Sequence, residues 1–550
     1  MEAQPQTIRP RDLFVALAVG AAPALLAWWL DPDVLRPHDL PVAAGILALA
    51  LFAGFFLYRI PRDLSPRGAE QASALPGARW VALVLAAAPT VMAWFALPAP
   101  VTNDERSVLF QAELFAEGRL AEPLPPLPEA WRRRQVYEDA ERGIRYSKYS
   151  PGAAALLAPA AALGAPHLTV LLLGFADLLL LGALARRLGV VSAGMAMLLL
   201  ATSPFFLLVQ TSFQSEVFTL PLALLGYLAL LRVRDAGAAR PAFGWGALCG
   251  AAAGAVFSVR PLTGVVLAAA CGLGLLTSRR RVPAVAGALL GGLPFLALVL
   301  LYQWAQTGDP FAVPYDLYAR RFGPFRPDGS PLDVYGNGDP LEGLLRQTAR
   351  WSVAFGGVLG AVALGFWGLW RLRRRDGLAG LAFAVLLPVA YSFHWYPGHW
   401  AYLGPLYSYE SLGLLVLGAL ALFAASPPRV RYGFTIALAS FGPLAFVARW
   451  FPIQEEGLVR SAPERAVAAA DLPPGAVVLL PPKGPGFGFE WTMKHWTPSR
   501  PSSAPADRLL LRRLPRAPVP ALLERAGVAG RPVFRYVPES ELGGGVVALE

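Results

Sequence analysis

Thirteen apolar stretches, most near the length a helix needs to cross a bilayer core of about 30 Å, restrict what this chain can fold into. They cover residues 13–30, 41–58, 80–97, 168–185, 190–209, 217–231, 243–258, 262–277, 282–302, 353–370, 378–393, 405–424 and 432–451. Lipid admits only helices and closed barrels, and runs of this length exclude barrel strands. The expected fold class is an all-α polytopic membrane protein with about 13 transmembrane helices. Only 15% of the residues are charged, against about 25% in soluble domains. Cys249 and Cys271 both lie inside apolar runs, which excludes a disulfide framework and a cysteine-built metal site. The first run continues through Trp28 and Trp29 to Leu30, longer than a signal peptide's apolar core, and reads as a retained anchor.

A net charge of +11 on a soluble chain would suggest nucleic acid. Here the arginines mark alternate connections: Arg59, Arg62, Arg67 and Arg79, then Arg186 and Arg187, Arg232 and Arg234, Arg279 to Arg281, Arg371 to Arg375, and Arg429 and Arg431. The positive-inside rule therefore puts the N-terminus and these loops in the cytoplasm and leaves no case for a nucleic-acid partner; the expected location is a cell inner (plasma) membrane. Residues 152–166 are apolar but interrupted by Pro159, Gly164 and Pro166. A separate crossing there would invert every later loop, so the segment is part of one long bent helix or a re-entrant piece.

Three units follow. Residues 1–79 carry two additional N-terminal spans, and 80–451 form a transmembrane core with outer loops 98–150 and 303–352. Residues 452–550 alternate Pro-rich turns with strand-like and helical stretches, as expected of a small extracytoplasmic α/β domain. A Gly-rich stretch at 483–489 has no Gly-Lys-Ser/Thr closure and no helix after it, so it is not a phosphate loop.

Polar residues gather at the outer ends of the spans. Asp104 and Glu105 follow a span, ahead of a helix-like stretch at 107–117, and are either solvated loop acids or an acid pair doing chemistry. Lys148 begins the return into the bilayer, as a snorkelling interface lysine or as an ammonium meeting a lipid phosphate. Arg260 sits between two apolar runs on the side where cations are unexpected; it needs a phosphate or an interhelical carboxylate. Glu216, in the next outer turn, is a solvated acid or completes an acidic site with Asp104. Asp177 lies within a span and calls for interhelical hydrogen bonding. His394 and His399 stand among aromatics as candidate acceptor contacts or metal ligands, in a spacing that fits no common zinc pattern.

These pieces, in order, resemble the type C (GT-C) glycosyltransferases, membrane enzymes that use polyprenyl-phosphate sugars, typified by protein O-mannosyltransferases and the lipid A aminoarabinose transferases. Asp104-Glu105 with Gln111 to Leu120 resembles the acidic pair and helix of the family's first outer loop. Tyr146-Ser147-Lys148-Tyr149-Ser150-Pro151-Gly152 is similar to its Lys-Pro-Pro motif, with Ser150 replacing the first Pro. Ala201-Thr202-Ser203-Pro204, Arg260-Pro261 and Gly404-Pro405-Leu406-Tyr407-Ser408-Tyr409-Glu410 follow, the last with Leu406 where the bacterial branch has Arg. The resemblance spans about residues 80–424. It implies Asp104 as general base with Glu105 beside it, inverting transfer, and donor phosphate on Lys148 and Arg260. It leaves Glu216, His394, His399 and Tyr146 as possible acceptor or metal contacts, with a divalent metal ion as the one candidate cofactor. The implied partners are a polyprenyl-phosphate sugar, membrane lipid, and an extracytoplasmic glycan, lipid or protein acceptor. Rival readings are a lipid or solute transporter or flippase, a lipid-linked glycan ligase or polymerase, and a non-catalytic scaffold for the tail.

Overall fold

A computed structural model describes residues 77–97, 100–131, 133–190, 193–322, 340–354, 365–370, 372, 374–394, 404–424, 428–480, 509–512, 517–540 and 543–549. The runs at 13–30 and 41–58, most of that at 353–370, and His399 lie outside these residues. Helix α1 (Ala78–Ala96) leads to α2 (Asn103–Ala116) and to strands β1 (Glu122–Pro123), β2 (Val136–Asp139) and β3 (Ile144–Ser147). Then come α3 (Pro151–Ala162), α4 (His167–Leu188), α5 (Ala193–Ala201), α6 (Pro204–Val209), α7 (Ser215–Asp235), α8 (Ala239–Val259), α9 (Pro261–Leu276) and α10 (Arg281–Thr307). Helices α11 (Pro314–Phe322), α12 (Pro340–Ala354), α13 (Arg374–Ser392), α14 (Ser411–Ala424), α15 (Pro428–Arg460) and α16 (Ala462–Ala469) follow. The chain ends in β4 (Val477–Leu480), β5 (Leu509–Arg512), α17 (Val519–Arg525), β6 (Val533–Ser540) and β7 (Gly543–Ala548).

Among the described residues, five helices are long and apolar enough to cross a membrane: α1, α4, α7, α8 and α10. The architecture is that of a multi-pass membrane protein. Two local features depart from a simple reading of the apolar runs. The run at 190–209 breaks into α5 and α6, because Pro204 cannot continue a helical ladder and the Ser203 hydroxyl caps the new start by accepting from the Phe206 amide. Helix α3 is separate from α4 rather than one bent helix with it. Its 12 residues span about 18 Å, too short for a crossing, and Gly164, at φ 68°, lies in the turn that follows.

Helices α8 and α10 pack backbone against backbone. Gly246 and Gly250 lie on the carbonyls of Ala284 and Ala288, while Gly287 and Gly291 lie on those of Phe243 and Ala247. Any side chain there would force the helices apart. One apolar core runs through α1 to α10 and α12 to α15.

Two small sheets sit beside the helices. In the first, β3 lies between β1 and β2, all antiparallel, with Tyr146 opposite Tyr137. The second has the order β5-β4-β6-β7, with β4 parallel to both neighbours and β7 antiparallel to β6.

Candidate functional site

Helix α2 begins at Asn103, so Asp104 and Glu105 stand in its first turn, where carboxylates suit the positive helix end. Thr102 and Glu105 form a reciprocal capping box: the Glu105 amide donates to Thr102 Oγ1 at 3.2 Å, and the Thr102 amide donates to Glu105 Oε1 at 3.1 Å. The second carboxylate oxygen, Oε2, accepts from the Phe213 amide at 3.1 Å, and Gln214 Nε2 donates to Thr102 Oγ1 at 2.8 Å. Glu105 is thus a buried tie between α2 and the turn before α7. Both its oxygens are engaged in this tie rather than presented to a substrate or a metal.

Positions 104, 107 and 111 share one face of α2. Ser107 donates to the Gln135 carbonyl at 2.6 Å and meets the Ser147 hydroxyl at 2.8 Å. Gln111 Oε1 accepts from the Ser147 amide at 3.0 Å. This face grips the end of β3 and sets Lys148 beside Asp104. Gln135 has φ 64°, the one positive value outside glycine among the described residues. Its strained backbone is held at three points. Besides the Ser107 bond, its carbonyl accepts from the Lys148 amide at 3.1 Å, and its amide donates to Tyr318 Oη at 3.0 Å.

Lys148 is 7% exposed, and its ammonium is enclosed by rings. The Nζ atom lies 4.0 Å from the Tyr315 ring centre, 4.9 Å from Tyr149 and 5.1 Å from Tyr318. Tyr315 and Tyr318 are one turn apart on α11, which brings part of the 303–352 loop onto the site. Burial, partly opposed by the Asp104 carboxylate, lowers the Lys148 ammonium to about 8. Burial and then Asp104 push the Tyr149 phenol well above its ordinary value, and Tyr149 is hydrogen-bonded to Asp104. Asp104 itself is half-buried.

A second charged group lies close by. Gly152, four residues after Lys148, rests on the backbone of Ser258 with no room for a Cβ, two residues before Arg260. Arg260 Nη1 contacts Glu216 Oε1 at 2.9 Å and Glu410 Oε1 at 3.0 Å. Its guanidinium carbon lies 5.0 Å from the Tyr391 ring centre and 5.4 Å from that of Tyr407. Thr219 adds a 2.6 Å bond to Glu410 Oε1. Arg260, Glu216 and Glu410 are all buried. Glu216 is therefore neither a solvated acid nor joined by any direct bond to Asp104; it meets Arg260 between helices. Arg260 finds carboxylates where a phosphate was also expected.

Tyr146 is fully buried in β3 against Tyr137, ring centres 5.6 Å apart, and has no access to an acceptor. His394 packs against Tyr407 with ring centres 4.8 Å apart and planes tilted by 60°, as part of an aromatic wall. Asp177 is fully buried, and neither carboxylate oxygen has a hydrogen-bond partner among the described residues, contrary to the interhelical bond expected of it. The described residues bring together no group of three or more His, Cys, Asp or Glu side chains able to hold a metal.

Sequence reasoning missed Glu410, Tyr149, Tyr315 and Tyr318 as site residues. Tyr149 and Glu410 lay inside motifs already noticed. The i, i+3 tyrosines after Pro314 were a legible helix face, and Thr102-x-x-Glu105 was a legible capping box.

No family model matches the sequence, and no curated protein matches it either. Solved structures do resemble it. ArnT from Cupriavidus metallidurans, bound to undecaprenyl phosphate, shares 14% identity over 84% of this chain and 92% of that one, at a TM-score of 0.50. Looser likenesses, each at 0.40, are the arabinofuranosyltransferase AftD from Mycobacteria and the Archaeoglobus fulgidus oligosaccharyltransferase. AftD is 18% identical over 74% of this chain and 30% of that one; the oligosaccharyltransferase is 14% identical over 83% and 68%. The chain has the fold of ArnT, a type C glycosyltransferase, as the order of its motifs led one to expect.

Proposed function

We propose that this protein is a membrane glycosyltransferase that moves a sugar from a polyprenyl-phosphate carrier to an acceptor hydroxyl on the extracytoplasmic side. Asp104 acts as general base and removes the acceptor proton. The freed oxygen attacks the anomeric carbon, and the bond from that carbon to the lipid phosphate breaks. Configuration inverts in this single displacement, the proton rests on Asp104, and the Lys148 ammonium meets the charge left on the polyprenyl phosphate. Tyr149 holds Asp104, and Tyr315 and Tyr318 wall the site with faces suited to a sugar. Arg260 is held by Glu216 and Glu410 as an interhelical strut beside the donor, not as its main phosphate ligand. The proposal also takes in thirteen crossings, an N-terminus in the cytoplasm and an extracytoplasmic C-terminal unit.

The observation that carries this reading is a tyrosine-lined site in which the Asp104 carboxylate acts electrostatically on the buried Lys148 ammonium. It is supported by a fold shared with a protein solved with undecaprenyl phosphate. A radiolabelled polyprenyl-phosphate sugar offered to Asp104→Asn membranes tests it. Transfer should fall by about 10²–10⁴-fold with expression unchanged. Wild-type transfer by that variant would sink the assignment, and solute or lipid movement by it in proteoliposomes would favour a transporter.

A further inference from the structure

The sheet β1–β3–β2, whose central strand ends beside Lys148, is too small to stand alone. Its strands run two to four residues, and the local apolar cluster holds just Phe110, Leu114 and Val136. Sheets of this size need further packing to be stable. Val108 and Ala112 of α2 join the main helical core, whereas Leu127 and Trp131 are buried with Leu479 of β4, Leu511 of β5, and Leu522 and Leu523 of α17. The outer loop and the C-terminal sheet thus share one core.

That core is connected to the site by an unbroken series of short contacts. Arg145 Nη1 donates to the Trp131 carbonyl at 3.0 Å, and Arg145 Nε donates to Glu122 Oε1 at 2.7 Å. Both charged side chains are buried, so their geometry is fixed by each other. Arg145 lies in β3, two residues before Ser147, whose hydroxyl and amide are bound to α2, and three before Lys148. A second connection reaches the Asp104 helix. Arg106 Nη2 donates to the Arg460 carbonyl at 3.4 Å, at the end of α15, and the following helix α16 packs on β7.

We propose that the C-terminal α/β unit is a brace for the donor site, with Trp131 and Arg145 as the positioning residues through which it holds Lys148 in register with Asp104. A unit tethered by a flexible linker would leave Trp131 with no core to enter and the sheet beneath Lys148 held by α2 and α11 alone.

The effect on donor binding rests on the reading above, but the brace itself does not, and hydrogen exchange measures it without any donor. Purified full-length Leu522→Ala, altered on the far side of the shared core, should exchange amides faster at 477–480 and also at 144–148, by about tenfold. Trp131→Ala should do the same at 144–148, and Trp131→Phe should restore protection. Trp131→Ala should also raise the donor KM by about fivefold to tenfold. Wild-type exchange over 144–148 in Trp131→Ala overturns the brace, and so does loosening of 477–480 in Leu522→Ala that stops short of 144–148. If Leu522→Ala does not fold, the Trp131 pair decides alone. Faster exchange with no sugar transfer in the wild type would leave the brace standing and count against the proposed reaction.

Discussion

Lys148 and Arg260 are both buried cations with tyrosine rings against them, yet their charges are met in opposite ways. Arg260 lies within 3.0 Å of two buried carboxylates and is more than neutralised. Lys148 has ring faces around its ammonium and a half-buried Asp104 nearby. Ring quadrupoles offset less of a cation's desolvation than a bonded carboxylate does. Arg260 is therefore committed to holding α7, the start of α9 and the Glu410 turn together, whereas Lys148 gains by meeting an anion.

The largest effect should follow from removing the committed charge. Arg260→Met leaves Glu216 and Glu410 buried without their cation, and thermal or denaturant unfolding should show a loss of about 3–5 kcal/mol. A variant with wild-type stability and a raised donor KM would exchange the roles assigned to the two cations. Lys148→Met should fold normally and raise the donor KM by about 10–100-fold, since a charge-assisted phosphate contact is lost. An unchanged KM would break the comparison from the other side.

Across pH, the two cations should separate again. Lys148 ordinarily titrates at 10.5 and here at about 8, so donor binding should weaken as pH rises through 8. Stability from this group moves the opposite way: between about 8 and 10.5 the unfolded chain holds more protons, so the fold gains as pH rises. Lys148→Arg, charged throughout, should flatten the donor KM profile. The smallest effect should come from Tyr318→Phe, which removes the acceptor for the Gln135 amide and should lower kcat/KM by about threefold to tenfold.

Much of the architecture was legible because lipid imposes a simple rule on apolar run length, and α1, α4, α7, α8 and α10 lie on runs that this rule selects. The break at Ser203-Pro204 was legible too, once proline was read as a helix start. Asp104 and Lys148 stood out as polar residues at span ends. Their partners did not, because Tyr315 is more than 150 positions from Lys148 in the chain, and nothing local marks its approach.

The sequence by itself determined a helical membrane bundle and the order of motifs, since each depends on residues within a few positions of one another. Which charge is committed and which is available was decided only by the tertiary structure. Glu410 lies 150 residues from Arg260, and Trp131 completes a core built from the last hundred residues of the chain. Burial and charge pairing depend on neighbours in space, and folding selects those neighbours across the whole length of the chain.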